Sequence, residues 1–438
     1  MNSVHCAAIR TTRNIPTLFS GLLCRYYEEA MGQSQTPDVL VSESPASVSQ
    51  RREANRGDFP RRRKVFYLLD SLNVGGTEVQ AVELATRLNP ERYDVTLGCL
   101  RARGPLLDRL QGTSVAIREF YPQGGFDSPR GMYQMLRLAV FLRRGRFDIL
   151  HAHDVYANVL GVPAAVLARV PVVISSQRDL GHLDLYKGGR RVWLRRLQKL
   201  STVVLTNANA IREGLLSENH FAAEKVRVIH NGVDVERFCR RSPERSWLVP
   251  EAGQEKWIVL VGNMHGEIKG HPVLIAAAES IVREFPEVRF LLVGDGQRRN
   301  IFEQQISRLG LEKYFLFLGR RNDVPQILGC CDIGVLPSQA EGLPNAVLEY
   351  LAASLPTIAS RVGGNFEIIQ DGKTGLLVPP NDAGALAEAI LRFLRDPGYA
   401  AEVGNNGRAY VAAEFSFQRL IEKTDQMYTE LLRSRGVE

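Results

Sequence analysis

The feature that most constrains this chain is a regular alternation of strand-like and helix-like segments, which runs from residue 65 to the C-terminus. Such alternation predicts parallel sheets with helices on both faces. The strand candidates of the first half are residues 65–69, 95–99, 115–120, 148–151, 172–175, 203–206 and 226–229. Those of the second half are residues 258–261, 290–293, 315–318, 333–336 and 357–359. We therefore predict an α/β chain with two Rossmann-like, doubly wound domains that face a cleft, with ligand-binding loops at the carboxyl ends of both sheets.

The predicted domain boundaries follow from breaks in this pattern. We expect a first domain at residues 63–242 and a second at 257–415, joined by a polar linker, and a C-terminal helix at 416–438 that returns toward the first domain. Residues 1–62 show no sustained periodicity. They are expected to be a disordered leader or the product of a start codon assigned too early, with Met31 as one candidate start, while an organellar transit peptide is a further alternative.

Charge and cysteine usage narrow the classes of function. The net charge is +4 for residues 1–64, +8 for residues 65–245 and −5 for the remainder, which suggests different partners for the two halves. The six cysteines form no Cys-x-x-Cys pair, and this usage favours a reducing, cytoplasmic location. The longest apolar run, residues 159–168, is too short to span a bilayer. Nucleic-acid binding is disfavoured because no recognition motif accompanies the basic charge.

Residues 340–349 carry the clearest chemistry. They follow a predicted buried strand and contain two carboxylates, Glu341 and Glu349, with Gly342 and Pro344 opening a helix predicted over residues 345–354. The unpaired N–H groups and positive dipole end of such a helix suit a diphosphate. Carboxylates accept hydrogen bonds from the hydroxyls of a ribose or hexose. The stretch therefore predicts a sugar-nucleotide site, although the residues alone also fit an ordinary turn with two solvated glutamates.

The full string Pro-Ser-x-x-Glu-Gly-Leu-Pro-Asn-Ala-x-x-Glu closely resembles the signature of the retaining family-four glycosyltransferases, whose two-domain architecture is called GT-B. Further motifs occur in the order typical of that family: Val261-Gly262 before Lys269-Gly270-His271, then Val293-Gly294-Asp295-Gly296, Gly363-Gly364 and Asp371-Gly372-x-x-Gly375. The resemblance implies retaining transfer of a hexose from a nucleotide-diphosphate sugar to a glycan or lipid-linked acceptor, in polysaccharide or glycolipid biosynthesis. It implies no cofactor and no metal.

The resemblance also implies roles for individual residues. His153 matches the family's active-site histidine near the donor hexose, and Glu341 is expected to contact the same hexose. Lys269 would supply positive charge at the diphosphate. Where relatives often have an arginine this chain has Asn263, so that cationic contact is missing or comes from Arg320 or Arg321. The expected donor-binding set is Gly75, Gly76, Asn263, Lys269, Gly342, Leu343, Pro344, Asn345 and Glu349.

Two further segments remain open to more than one interpretation. His151 and His153 would point to the same side of a strand, so a metal pair is conceivable, but no third ligand cluster accompanies them. The segment 187–199 reads as a basic amphipathic helix, with Trp193, Leu197 and Leu200 on one side and the arginines turned away. It could bind an anionic membrane or acceptor, or simply pack on its own domain. The residues assigned to this acceptor or membrane side are Arg190, Arg191, Arg195, Arg196 and Lys199.

Two other classes of protein would use the same scaffold. An epimerase or a phosphorylase would also bind a nucleotide or phosphate in the cleft, but no convincing pyridoxal lysine region is present for a phosphorylase. A non-catalytic GT-B partner subunit would keep the fold and lose its site residues. Because His153, Lys269 and Glu341 are all present, an enzyme is the preferred prediction.

Overall fold

The computed structural model describes residues 61–179, 188–238, 244–250 and 253–437. The predicted leader lies almost wholly outside the described residues, and the predicted linker lies partly outside them. Within the described part of the chain, no helix is long and apolar enough to cross a membrane.

The first half forms a seven-stranded, fully parallel sheet in the order β3-β2-β1-β4-β5-β6-β7. Its strands are β1 (Arg63–Ser71), β2 (Tyr93–Arg101), β3 (Ala116–Glu119), β4 (Ile149–Ala152), β5 (Val172–Gln177), β6 (Val203–Thr206) and β7 (Val226–Val228). The strand order reverses between β1 and β4, and the loops that leave these two strands diverge at that point. A crevice therefore opens beyond their carboxyl ends, where ligands of such sheets bind.

Helices cover both faces of this sheet. They are α1 (Gly76–Arg87), α2 (Leu107–Leu110), α3 (Pro129–Gly145), α4 (Val155–Ala168), α5 (Gly188–Leu200) and α6 (Asn209–Ser217). Helices α3, α4 and α5 lie side by side on one face, where Leu138, Leu160 and Leu194 share a core with Phe66 and Leu68 of β1. Helix α1 covers the opposite face.

The second half repeats the arrangement with a six-stranded parallel sheet in the order β10-β9-β8-β11-β12-β13. Its strands are β8 (Lys256–Val261), β9 (Val288–Val293), β10 (Phe315–Gly319), β11 (Ile333–Leu336), β12 (Thr357–Ser360) and β13 (Leu376–Val378). Its helices are α7 (His271–Glu284), α8 (Arg299–Arg308), α9 (Val324–Cys330), α10 (Asn345–Ala352), α11 (Asn365–Ile368), α12 (Ala383–Arg395) and α13 (Pro397–Glu414). The strand order reverses between β8 and β11. Lys269 lies in the loop after β8, and Glu341 lies in the loop after β11, so the two residues come from the two sides of this switch point.

The last helix, α14 (Phe417–Ser434), returns to the first half as predicted. Ser416 caps it, and its inner side chains join the core that α1 and the first sheet form. The phenol of Tyr428 is hydrogen-bonded to His151 Nδ1 at 2.7 Å and donates to Tyr67 at 3.0 Å, both in the first sheet. The chain's end thus ties the second half to the first.

Several element limits differ from the sequence-based expectations. Helix α1 begins at Gly76 rather than near residue 79, so the glycine loop is shorter than predicted. Helix α10 ends at Ala352, and Ser354 follows with a left-handed φ of 57°, which stops the helix before the predicted end. Strand β13 was not predicted, because three residues are too few to show a period.

Candidate active site

An ion pair between Lys269 and Glu341 lies at the switch point of the second sheet. Lys269 Nζ donates to both carboxylate oxygens of Glu341, at 2.8 and 3.0 Å, and the hydroxyl of Ser338 donates to Oε1 at 2.6 Å. Glu341 is buried, whereas Lys269 is partly exposed. A buried carboxylate requires such partners, since an unpaired charge away from water is costly. The structure thus brings together the two residues that sequence reasoning assigned to the diphosphate and the hexose.

A glycine allows the loops that carry this pair to meet. Gly270 has a left-handed φ of 77°, and a Cβ atom there would lie 1.9 Å from the carbonyl oxygen of Pro337. Any other residue would push the β8–α7 loop away from the loop after β11. Gln339 N–H also donates to the carbonyl of Ile268, at 2.8 Å. The separation of Lys269 from Glu341 is therefore set by backbone contact.

The N-terminus of α10 meets the glycine loop of the first half across the cleft. Asn345 Nδ2 donates to the carbonyl oxygen of Gly76 at 3.1 Å, and Asn231 Nδ2 donates to Asn345 Oδ1 at 2.8 Å. Asn231 Nδ2 also lies 3.1 Å from the carbonyl of Leu343. Pro344 is the N-cap of α10 and has no N–H to donate, so the free amides begin with the residues after it. Two predicted donor-binding segments thus converge.

Arg178, which sequence reasoning missed, connects the two halves at a second point. It follows β5 directly, and its carbonyl oxygen would lie 2.5 Å from a Cβ atom on Gly342. Its guanidinium donates to Asn231 Oδ1 at 3.1 Å and to His153 Nδ1 at 3.4 Å. Burial lowers its pKa to about 10, which leaves it charged at neutral pH. Its position just past a strand end was the available signal.

His153 is fully buried at the carboxyl end of β4, in contact with Arg178. Burial, with the neighbouring His151 and Arg178, holds the pKa of His153 well below its usual range, so the ring is neutral at pH 7. Because a guanidinium can only donate, Nδ1 must accept, and the ring proton resides on Nε2. That Nε2 atom is buried and has no hydrogen-bond partner among the described residues. It is a hydrogen-bond donor that no described residue uses.

His151 has a different role. Its ring stacks on His153 with centroids 3.9 Å apart, and its two nitrogens are hydrogen-bonded to Tyr428 at 2.7 Å and to Ser176 at 3.0 Å. Neither nitrogen is left for a metal. No group of three or more histidine, cysteine, aspartate or glutamate side chains among the described residues is arranged to hold a metal ion. His151 therefore anchors α14 to the first sheet.

A cavity of about 160 Å³ lies beside His153 on the first-half side of the cleft. Its lining includes the carboxyl groups of Asp70, Glu78 and Asp154 together with the guanidinium of Arg178. Burial and the nearby Asp70 raise the pKa of Asp154 above its usual range, and burial raises the pKa of Glu78 to about 7. Such groups exchange hydrogen bonds with hydroxyls as both donors and acceptors.

Glu349 lies one turn into α10 and is half-buried. Burial raises its pKa to about 7, while the cationic side chains of Arg237 and Arg109 act in the opposite direction. Both arginines belong to the first half or the segment that follows it, so Glu349 faces positive charge across the cleft. Its carboxylate is close to its protonation midpoint at neutral pH.

The remaining predicted residues are placed less centrally. Asn263 is exposed at the carboxyl end of β8, and Gly75 is the N-cap of α1. Arg321, offered as a substitute cation, pairs with Asp323 at 2.6 and 2.8 Å, while Arg320 is exposed at the end of β10. Arg178 is a further cation that the structure places in the cleft and that sequence reasoning missed.

The predicted orientation of the basic helix is correct for Leu197 and Arg191 but wrong for Trp193, Leu200 and Arg195. Arg195 does not turn outward: it is 3% exposed, bonded to Glu218 at 2.7 and 2.9 Å and to Gln177 at 2.8 Å. Leu194 and Leu197 form the inner side, whereas Trp193 and Leu200 are exposed. The error arose because a buried ion pair let arginine occupy an inward position that a hydrophobic pattern alone assigns to leucine. Arg191 pairs with the same Glu218, while Arg196 and Lys199 are exposed.

Comparison with known proteins gives a consistent result. The family model "Glycosyltransferase Family 4" matches residues 74–237, and "Glycosyl transferases group 1" matches residues 255–396. An Escherichia coli UDP-Gal:alpha-D-GlcNAc-diphosphoundecaprenol alpha-1,3-galactosyltransferase is 27% identical over 356 residues, covering 78% of this chain and 90% of the relative. The N-acetyl-alpha-D-glucosaminyl L-malate synthase of Bacillus anthracis is 25% identical over 379 residues, covering 82% and 95%.

Solved structures share the fold. Anabaena Alr3699/HepE in complex with UDP-glucose superposes with a TM-score of 0.75 at 23% identity, over 84% of this chain and 99% of that one. Sucrose-phosphate synthase from Thermosynechococcus elongatus gives a TM-score of 0.71 at 20% identity, over 85% and 100%. The predicted pair of Rossmann-like domains in the GT-B arrangement is thereby confirmed.

Proposed function

Since the chain belongs to the group 1, family 4 glycosyltransferases, whose two models together match more than half of it, we propose that it transfers a hexose from a nucleotide-diphosphate sugar to a hydroxyl of a glycan or lipid-linked acceptor, with retention of anomeric configuration. The observation that carries this proposal is the Lys269–Glu341 ion pair at the switch point of the second sheet. The cation and the helix N-terminus at this point suit the diphosphate of such a donor, and the carboxylate suits the hydroxyls of its sugar.

The diphosphate is the leaving group, and its negative charge grows as the bond to the anomeric carbon breaks. Lys269 and the free amides at the start of α10 supply positive potential there. The acceptor oxygen forms the new bond to the anomeric carbon, and its proton passes to the departing phosphate oxygen. In this proposal no divalent metal is required, because a fixed cation and a helix dipole already stabilise the leaving group.

The two glutamates divide the rest of the donor. Glu341, beside Lys269, contacts hexose hydroxyls, and Glu349, one turn deeper in α10, contacts ribose hydroxyls. His153 adds a hydrogen bond from Nε2 to a hexose oxygen, since that buried donor has no protein partner among the described residues. Of these contacts, that of the anionic Glu341 becomes stronger when the hexose gains positive charge in the transition state.

The cavity beside His153 is proposed to hold the acceptor. Its carboxyl groups suit a hydroxyl-bearing sugar. The named activity of the Escherichia coli relative uses a lipid-diphosphate-linked sugar as acceptor, which favours a lipid-linked acceptor here as well. We place the reaction at the cytoplasmic face of a membrane, in polysaccharide or glycolipid biosynthesis.

The test begins with donor binding. Purified protein is screened by thermal shift against UDP- and GDP-hexoses, with UDP-galactose included first because of the relative's name. A donor at 100 times its dissociation constant stabilises the folded protein by about 2.7 kcal/mol. Lys269→Met, expected to abolish this shift, is compared with Arg308→Met, an exposed cation on α8. Absence of any nucleotide-sugar shift would contradict the proposal.

The chemistry is tested with the donor so identified. The product's anomeric configuration is read by NMR, and an inverted anomer would refute retention. Activity that is lost in EDTA and restored by manganese would refute metal independence. Release of an epimerised nucleotide sugar without transfer would instead identify the protein as an epimerase on the same scaffold.

A further inference from the structure

Helix α3 is apolar on its outer side as well as on its inner side. Leu138 and Leu142 face the core, but Met132, Leu136 and Val140 are about half exposed, and Tyr133 is 64% exposed. Positions 132, 136 and 140 repeat every four residues, so these side chains form a continuous stripe along the helix surface. A stripe on the solvent side has no role in the fold.

The neighbouring helices continue this surface. On α4, Val166 and Leu167 are exposed, and on α5 Val192, Trp193 and Leu200 are exposed. The three helices pack side by side on one face of the first sheet, so their outward sides form one layer, which we call the α3–α5 face. Contiguous exposed apolar surface on a soluble domain usually marks a binding site.

The charge of the α3–α5 face has one sign. Helices α3, α4 and α5 contain no aspartate or glutamate along their whole length. Helix α3 carries Arg130, Arg137, Arg143 and Arg144, and all four are exposed. Arg137 and Arg143 donate to backbone carbonyl oxygens, and no carboxylate of the described residues forms an ion pair with any of the four. The expected partner is therefore both apolar and anionic.

From this pattern we infer that the α3–α5 face docks on an anionic lipid bilayer, with the stripe on α3 entering the boundary between headgroups and acyl chains. Arginines beside the stripe then reach lipid phosphates while their stems stay in apolar surroundings. Trp193 on the same face is 40% exposed, and tryptophan is enriched at membrane–water interfaces. A second copy of the chain fits less well, because a symmetric dimer would set two arginine-rich faces against each other.

The position of α3 relative to the active site supports this orientation. Phe126, in the loop just before α3, stacks on Tyr156 with ring centroids 6.3 Å apart, and Tyr156 lines the cavity beside His153. The loop that leads into α3 therefore lies beside the proposed acceptor cavity. This link rests on the proposed function, since it gives a lipid-linked sugar a short path from the membrane to the cavity, but the docking itself does not require activity.

The test is sedimentation of the full chain with vesicles, measured without any substrate. We expect binding to vesicles of 30% phosphatidylglycerol in phosphatidylcholine at low salt, weak binding to phosphatidylcholine alone, and release at high salt. Leu136→Ser with Val140→Ser should lower the partition coefficient at least tenfold. Arg137→Ser and Arg144→Ser should each lower it about fivefold. A blue shift of tryptophan emission on binding should disappear in Trp193→Phe.

Matched controls come from the second half. Ile301→Ser with Leu309→Ser removes two exposed apolar side chains, one on α8 and one at its C-cap, and Arg308→Ser removes an exposed cation of the same helix. These variants should bind vesicles as the wild type does. The inference would be overturned if the wild type does not bind anionic vesicles, or if the α3 variants bind them as the wild type does. So would a dimer in sedimentation velocity that Leu136→Glu converts to monomer, since the face would then be an interface between copies. Thermal shifts with nucleotide sugars test donor binding, and so the proposed function, separately from membrane docking.

Discussion

Lys269 and Glu341 neutralise each other in the structure, through a bidentate contact of 2.8 and 3.0 Å. The lysine proposed to hold a diphosphate thus already has an anionic partner. On donor binding, Lys269 would redistribute its hydrogen bonds between the carboxylate and the phosphates. This pairing holds the Glu341 carboxylate, which is buried near a helix N-terminus, in a fixed orientation before the donor arrives.

The first prediction separates the two members of this pair. Lys269→Met removes the cation at the leaving group and should lower turnover by about 10² to 10³, the range found for loss of one electrostatic contact to a transition state. Glu341→Gln should lower turnover and leave the affinity for free UDP or GDP unchanged or tighter, because Lys269 is released to the diphosphate. Calorimetry gives the affinities. Weaker binding of free nucleotide by Glu341→Gln would reject this division.

The second prediction concerns the neutral state of His153. Burial is the main cause of its low pKa, and the nearby cation of Arg178 lowers it further. Arg178→Met removes that cation, so the pKa of His153 should rise and the acid limb of the pH–turnover profile should move to higher pH. Arg308→Met is the control and should leave the profile in place. An unshifted acid limb in Arg178→Met would show that Arg178 does not act on His153.

The third prediction tests the contact between Gly342 and Arg178. A Cβ atom at position 342 would lie 2.5 Å from the Arg178 carbonyl oxygen, so Gly342→Ala should force the two halves apart. Small-angle scattering should show a larger radius of gyration, and donor turnover should fall. Gly384→Ala, where the nearest atom to a new Cβ lies 3.5 Å away, serves as the control. If Gly342→Ala retains wild-type dimensions and activity, this approach is not needed for closure.

The fourth prediction follows from the raised pKa of Glu349. In the folded chain it is about 7, against 4.5 for an exposed glutamate, so ionisation costs stability as pH rises between these values. Glu349→Gln removes that cost. The variant should match the wild type near pH 4.5 and be more stable at pH 8 by about 3 kcal/mol, since the pKa shift is worth about 1.4 kcal/mol per unit.

Melting temperatures across this pH range measure the difference. Glu388→Gln, which removes an exposed carboxylate on α12, is the control for the substitution itself. A Glu349→Gln curve that runs parallel to that of the wild type would mean that the Glu349 carboxylate is not destabilised by burial.

Local sequence was sufficient for some features of this protein and insufficient for others. The β-α alternation predicted both parallel sheets, because strand and helix periods are local properties of the chain. The glycine and proline of residues 340–349 predicted a helix N-terminus, and the structure has one at Asn345. Arg178 escaped notice because a single arginine after a strand has no motif, and its importance comes from Gly342 and His153, which are distant in sequence.

Helix α5 is a second case in which local sequence was insufficient. Its hydrophobic spacing suggested that Trp193 and Leu200 face inward and Arg195 outward, whereas the structure reverses these positions. The partner that makes a buried arginine stable is Glu218, which lies on a later segment and could not be read from the helix itself.

By itself, the sequence determined the order of all strands but β13, the two-domain class and the family, because each depends on short segments read in order. Only the tertiary structure decided which side chains face each other: Lys269 with Glu341, Arg178 with His153, Arg195 with Glu218. It also decided that the arginines and apolar side chains of α3, α4 and α5 share one surface. Such contacts join residues far apart in the chain, and their energies depend on distance and burial, which exist only once the sheets and helices have packed.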